Sequence, residues 1–415
     1  MKILIHGINY APELTGVGKY SGEMAEWLAG RGNEVRVVTA PPYYPQWHVA
    51  DGYTAGRYRR ELLNGVNVWR TPLWVPERLS GVKRILHLAS FAISSLPVMM
   101  AQALWRPDLV LVVEPPFFCA PGTIVVAKLA GSKTWLHVQD FEVDAAFDLG
   151  ILSSVWMRGV VRAVERWLLG GFDKISTISG RMLAGLGEKG VAGSRRVFFP
   201  NWVDTNIIHP IKVQNYFRNE LRIGSNEVVG LYAGNMGQKQ GLETLVEAAR
   251  MMVAEKKVRF VLCGQGAAYK RLRAEAFGLS NISWIPLQPE ERLNELLNLA
   301  DIHLLPQRED AADLVMPSKL TGIMASGKPV VATAREGTEV WSVIQGRGIT
   351  VAPGDITAFA KAVLELTGDP ARREYLGAEA RKYAVEHLDK EHVLTAFEAE
   401  LYRLVVSGQR VACSS

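Results

Sequence analysis

Short β-branched runs alternate with helix-spaced segments along this chain, and the whole alternation occurs twice. In the first half the apolar runs are Lys2–Gly7, Glu34–Thr39, Asp108–Val113, Lys133–Val138, Lys174–Thr177 and Val197–Phe199. Tyr20–Gly30 carries Met24, Trp27 and Leu28 at helical spacing between the first two. After Asn201–Asp204 the same grammar restarts. Strand-like Val228–Ala233, Val258–Cys263, Ile282–Trp284, Ile302–Leu305 and Pro329–Ala332 are separated by helical Leu242–Ala254, Leu272–Phe277, Arg292–Leu299 and Ser318–Ala325. Short apolar runs joined by helices imply parallel strands with crossovers covering both faces. A length of 415 residues exceeds one ordinary core, since domains usually run ~100–200 residues. The expected fold class is therefore α/β, with two doubly wound, Rossmann-like domains at residues 1–203 and 204–388. A last amphipathic pattern, Lys390–Val406 within 389–415, is expected to pack back on the first domain. Ligands of such sheets bind beyond the carboxyl ends of the strands, so the cleft between the domains is the expected site.

Charge and cysteine content narrow the function. Residues 1–200 hold 22 Lys and Arg against 16 Asp and Glu, a balance of +6, and the remainder hold 25 against 26. A basic first half beside a neutral second half points to an anionic partner, either phosphate or a membrane surface. No Lys/Arg run or recognisable motif supports nucleic acid. Cys119, Cys263 and Cys413 are too scattered for a disulfide framework or a zinc site, which fits a reducing compartment. The amino-terminal apolar stretch is broken by His6 and Asn9 and reads as a first strand, so a cytoplasmic protein is expected. Ile85–Trp105 contains no charged residue and lies between Lys83–Arg84 and Arg106. It reads as a helix beside the sheet, with a helix at a membrane face as the second reading and a true span as the last.

Four constellations at strand ends carry the chemistry. The loop PELTGVGKY over residues 12–20 places Gly16 and Gly18 before a helix whose amides can meet an anion. Ser21 stands where a dinucleotide fingerprint needs its third glycine, and strand two closes on Thr39–Ala40–Pro41 without an acid. A nicotinamide cofactor is thereby disfavoured. The second, AGNMGQKQGL over residues 233–242, offers Gly234, Asn235, Gly237, Lys239, Gln240 and Gly241 between a strand and a helix. The third is the turn Gly264–Gln265–Gly266. The fourth, MPSKL, sets Pro317 and Ser318 at a helix start beside Lys319, after Glu309, Asp310 and Asp313. Together they outline a nucleotide-shaped site.

These motifs occur in the order found in a known family. With "YAGN", "KQGL", "GQG" and "PSKLTGIMASGKPVV", the chain resembles the retaining glycosyltransferases of family 4, which have the GT-B fold. The opening INYAPELTGVGKYSGEMAEWL, APPYYPQW and FPNW are similar to the branch that builds colanic acid, O-antigen and capsule repeats.

The resemblance implies a nucleoside-diphosphate sugar donor, GDP-fucose or a UDP-sugar, bound by the second domain. A polyprenyl-diphosphate-linked saccharide is the implied acceptor. Asn235 occupies the family's arginine position, and Lys239 precedes Gln240, which stands where the lysine falls. Phosphate binding then leans on Lys239 and Lys319. Leu314 and Gly322 replace the family's paired glutamates, so donor-sugar contacts come from elsewhere, with Glu309, Asp310 and Asp313 as the candidates. Asp140 or His137, in WLHVQDFEVD, takes the position facing the donor sugar, and Asp140 would orient rather than attack. No metal is required if lysines and helix amides supply the charge, and no DxD pair is present. The aromatic-basic stretch Tyr43–Arg60, with Arg57, Arg59 and Arg60, is expected to meet the acceptor diphosphate and the anionic inner membrane surface. A sugar-nucleotide 2-epimerase of the same fold and a non-catalytic membrane-associated subunit are the rival readings.

Overall fold

The computed structural model describes residues 1–77, 80–148, 155–211, 215–237, 240–308 and 317–412. Lys239, Glu309, Asp310, Asp313 and Leu314 lie outside the described residues. The chain divides into two compact units, Met1–Pro200 with Leu394–Ser415, and Asn201–Val393.

The first unit is built in the order β1 (Lys2–His6), α1 (Gly16–Gly30), β2 (Glu34–Thr39), β3 (Arg59–Leu63), β4 (Val66–Arg70), α2 (Gly81–Ala103), β5 (Leu109–Glu114), α3 (Ala120–Ala130), β6 (Lys133–Val138), α4 (Glu142–Asp148), α5 (Val155–Gly170), β7 (Lys174–Thr177), α6 (Gly180–Glu188) and β8 (Arg196–Phe198). They form one eight-stranded sheet in the order β3-β4-β2-β1-β5-β6-β7-β8, parallel except for β3 against β4. All six residues of β5 are buried, as a central strand covered on both faces requires. Gly131 ends α3 in the left-handed conformation with φ 70°, which lets the chain turn directly into β6. The carboxy-terminal stretch from Leu394 belongs to this unit. Phe397 stacks on Phe199 with ring centroids 3.8 Å apart and meets Trp135 edge-on at 5.2 Å. Glu398 accepts from Asn33 Nδ2 at 2.9 Å, fixing this stretch against the start of β2.

The second unit runs α7 (Tyr216–Glu220), β9 (Val228–Ala233), α8 (Glu243–Met251), β10 (Val258–Cys263), α9 (Tyr269–Glu275), β11 (Ile282–Ile285), α10 (Leu293–Leu299), β12 (Ile302–Leu305), α11 (Ser318–Ala325), β13 (Val330–Thr333), α12 (Glu339–Ile344), β14 (Gly348–Val351), α13 (Ile356–Gly368) and α14 (Pro370–Tyr383). Its six strands are all parallel, in the order β11-β10-β9-β12-β13-β14, so the order reverses at β9 and β12. Helices cover both faces. Leu245, Val246 and Phe359 pack on one side, and Leu320, Ile323 and Val340 belong to a separate cluster with Val330 and Ala332. At a reversal the crossovers leave in opposite directions, which opens a crevice at the strands' carboxyl ends.

Candidate functional site

In the second unit, three of the sequence-predicted constellations converge at the end of β9. The turn after β9 and the turn after β10 lie backbone on backbone. Gly234 N donates to Cys263 O at 2.9 Å, and Met236 N donates to Gln265 O at 2.8 Å. A Cβ on Gly264 would overlap the Gly234 carbonyl, and one on Gly266 would come within 2.5 Å of Met236 O. Both glycines have φ near 150° (148° and 153°), a region closed to other residues. The resemblance put Gly264, Gln265 and Gly266 among the donor contacts. The glycines' lack of a side chain is used here to bring the two turns together.

Lys319 enters from α11 over the same turns. Pro317 starts the helix and Ser318 is exposed at its first position. Lys319 Nζ donates to Tyr232 Oη at 2.6 Å, sits 4.3 Å from the centre of the Tyr232 ring, and reaches Gln240 Oε1 at 3.5 Å. Tyr232 Oη in turn donates to the Asn235 carbonyl at 2.6 Å. A Cβ on Gly234 would stand 2.5 Å from Lys319 Cε, so this glycine gives the lysine its path. Burial pulls the Lys319 ammonium down to about 8. Among the described residues no carboxylate forms an ion pair with it. A desolvated cation held by a phenol, an amide oxygen and a ring face has no anionic partner among the described residues. Gln307 Oε1 is buried without a donor among the described residues, and Gln307 N donates to Thr333 Oγ1 at 2.6 Å. Sequence reasoning missed Tyr232, because a tyrosine inside VVGLYA reads only as strand core.

In the first unit, the carboxyl ends of β5 and β6 gather acids. Glu142 accepts from Phe117 N at 2.7 Å, and its own N–H lies 3.4 Å from Glu114 Oε1. Burial, and then the Glu142 charge, push Glu114 well above the carboxylate range. Asp140 stands half-buried at the turn after β6, and its charge raises both Glu114 and Glu142. His137 is buried inside β6. Its Nδ1 pairs with Ser176 Oγ at 2.9 Å and its Nε2 with Gln139 Nε2 at 3.0 Å. Burial pulls it down to about 3, so the ring is neutral and both nitrogens are occupied.

The loop after β1 is organised around Glu13, which the sequence reading quoted but did not single out. Its buried carboxylate accepts from Tyr43 N and Tyr44 N at 3.0 Å each, and from Asn9 Nδ2 at 2.9 Å. A Cβ on Gly18 would collide with that carboxylate, while Gly16, with φ 62°, faces the Tyr44 ring. Farther along, Arg57, Arg59 and Arg60 are all exposed. Arg59 lies 4.9 Å from the Tyr53 ring and pairs with Glu61 at 3.3 Å; Arg60 lies 4.8 Å from the Trp69 ring. Among the described residues no three His, Cys, Asp or Glu side chains form a metal-binding group.

Two Rossmann-like sheets in one chain, parallel but for the edge strand β3, with a cation at the switch point of the second, define a GT-B glycosyltransferase framework. The chain matches the Glycosyl transferase 4-like domain over residues 15–202 and the Glycosyl transferases group 1 model over residues 213–383. It is 45% identical over 407 residues to a protein of Escherichia coli strain K12 that carries the name colanic acid biosynthesis glycosyl transferase WcaI, covering 96% of this chain and 98% of that one. This chain belongs to the glycosyltransferases that join a type 4-like domain to a group 1 domain. Among solved structures it is similar to sucrose-phosphate synthase from Thermosynechococcus elongatus, with TM-score 0.75, 17% identity, and 98% and 100% of the two chains covered. It is also similar to HepE of Anabaena in complex with UDP, with TM-score 0.72, 14% identity, and 97% and 100% covered. At those identities the likeness concerns the fold.

Proposed function

We propose that this chain is a retaining enzyme that moves a sugar from a nucleoside-diphosphate sugar to a polyprenyl-diphosphate-linked saccharide in exopolysaccharide assembly. The near full-length relationship to the protein named for colanic acid biosynthesis supports that setting. The observation that carries the reading is Lys319, a desolvated ammonium without a carboxylate partner among the described residues, aimed across the β9 turn from the start of α11. A diphosphate is the anion that such a turn-and-helix site takes best.

In the reaction, the bond from the anomeric carbon to the diphosphate oxygen breaks and negative charge accumulates on the departing group. Lys319 Nζ and the first amides of α11 face that charge and offset it as it grows. An acceptor hydroxyl attacks the same face of the sugar, and its proton passes to the leaving oxygen, so atoms and charge balance without a protein nucleophile. Asp140 orients the sugar or the acceptor. His137 supports the strand instead, because it is neutral and already bonded on both sides. The charge supplied by lysine and amides makes this a metal-independent reading, so a chelator is expected to leave turnover intact. The chain works in the cytoplasm, at the inner face of the membrane where a polyprenyl carrier is presented.

The test follows nucleoside diphosphate release from a panel of GDP- and UDP-sugars, with and without a lipid-diphosphate saccharide. Release that needs the acceptor supports transfer. Epimerised donor without acceptor would mean a 2-epimerase, and no turnover with any pair would mean a binding subunit.

A further inference from the structure

One face of the first unit is apolar and basic at the same time. The connections β4 to β5, β5 to β6 and β6 to β7 all step the same way along the sheet. Right-handed crossovers therefore lay α2, α3 and α5 on a single face. They are neighbours there. A Cβ on Gly122 of α3 would sit 3.2 Å from Leu96 of α2, and one on Gly171, just past α5, would sit 2.5 Å from Ile124 of α3.

The inner sides of these helices pack on the sheet through Leu88, Phe91 and Met99 of α2 and Leu168 and Leu169 of α5. Their outer sides remain apolar. Leu86, Ile93, Leu96 and Met100 are exposed on α2, and Val125 and Leu129 on α3. On α5, Trp156, Val160, Val164 and Trp167 form a stripe at helical spacing, and its two tryptophans are 76% and 74% exposed. Tryptophans that far into water signal a surface that something else covers.

Charge identifies what covers it. These three helices carry Lys83, Arg84, Lys128, Arg158, Arg162 and Arg166 against a single acid, Glu165. Glu165 is buried and bonded to Lys189 at 2.8 Å, so the outer sides of these three helices show no acid. On α1, whose crossover runs the other way, Glu23 and Glu26 accompany Lys19. An apolar stripe edged by basic residues of one sign, with tryptophan at both ends, matches a phospholipid boundary. α2 is long and apolar enough to cross a membrane, but His6 Nε2 pairs with its buried Ser95 Oγ at 2.9 Å and Phe91 is buried beneath it. It lies on the sheet and offers only its outer side.

We propose that the α2–α3–α5 face docks on an anionic phospholipid surface, with Trp156 and Trp167 at headgroup level and the exposed Arg162 and Arg166 on lipid phosphates. This deepens the lipid-linked acceptor reading, on which its purpose rests, and it assigns the membrane contact to a surface other than Arg57, Arg59 and Arg60. The full chain is sedimented with vesicles of phosphatidylcholine alone and of phosphatidylcholine mixed with phosphatidylglycerol. The mixed vesicles should bind it, less so in high salt. Trp156→Ala with Trp167→Ala, and separately Arg162→Gln with Arg166→Gln, should weaken binding at least about tenfold while thermal melting is unchanged. Neutralising Arg57, Arg59 and Arg60 should change it little.

Three results overturn the inference: equal recovery of the native chain in the supernatant with both vesicles, binding lost only in the Arg57, Arg59 and Arg60 variant, or a dimer that the tryptophan pair abolishes without any vesicle binding. Nucleotide release with a short, water-soluble acceptor is measured in parallel. Release retained without vesicle binding removes only the docking surface, whereas vesicle binding without release removes the transfer reading.

Discussion

In the proposed reaction, Lys319 concentrates the chemistry of the second unit in one atom. Its replacement by alanine should weaken nucleoside diphosphate binding by about 1.5–3 kcal/mol, read by titration calorimetry, because a charge-assisted contact is lost from a desolvated place. The pH dependence has a defined sign. Burial lowers the ammonium from 10.5 to about 8, so the cation that binds an anion is present below that value and is lost above it. Diphosphate affinity should therefore fall between about pH 7 and 9 in the native chain and stay flat in Lys319→Met. For folding, the cost of burying the cation is present below about 8 and is relieved as pH rises toward 10.5. In the first unit, Asp140→Asn should lower kcat at least about tenfold with nucleotide binding retained, as expected of a group that acts on the sugar or acceptor. His137 should show no imidazole titration by NMR between about pH 5 and 8. A resonance that titrates there would return His137 to the reaction.

The two stacked turns depend on backbone, and their glycines are not equivalent. Gly264→Ala forces a side chain into the Gly234 carbonyl at φ 148°, whereas a Cβ on Gly237 meets Asn235 Nδ2 only at 3.5 Å. The first substitution should cost more than the ~1–3 kcal/mol of backbone strain alone and the second should be close to neutral, measured by chemical denaturation. The sequence places these glycines at strand ends, because glycine after a buried apolar run marks a turn. Their use in bringing two turns together is invisible there, since it depends on β9 and β10 being paired. The same limit applies to Tyr232 and Lys319, which meet across 87 positions of chain. β3 was also illegible: RRELL has no apolar alternation, and it forms a strand as the antiparallel edge partner of β4. The place of Asp140 at a strand's carboxyl end was readable from the apolar run before it, whereas the buried Glu114, on which its charge acts, needed the sheet.

Across the chain, the two similar alternations form two sheets that are parallel but for the edge strand β3, because β-branched runs and crossover helices encode that architecture locally. Packing of residues beyond Leu394 into the first unit rests on Phe397, buried between Phe199 and Trp135. Phe397→Ala should destabilise that unit by about 3–5 kcal/mol, read as an earlier denaturant midpoint. In the proposed reaction, the diphosphate of a nucleotide sugar leaves against Lys319 only when an acceptor takes the sugar. The most direct measurement compares single-turnover release of nucleoside diphosphate by the native chain and Lys319→Ala, with and without a lipid-diphosphate saccharide. Release should depend on the acceptor in the native chain and be at least about tenfold slower in the variant. Equal rates in the two proteins, or release that ignores the acceptor, would contradict it.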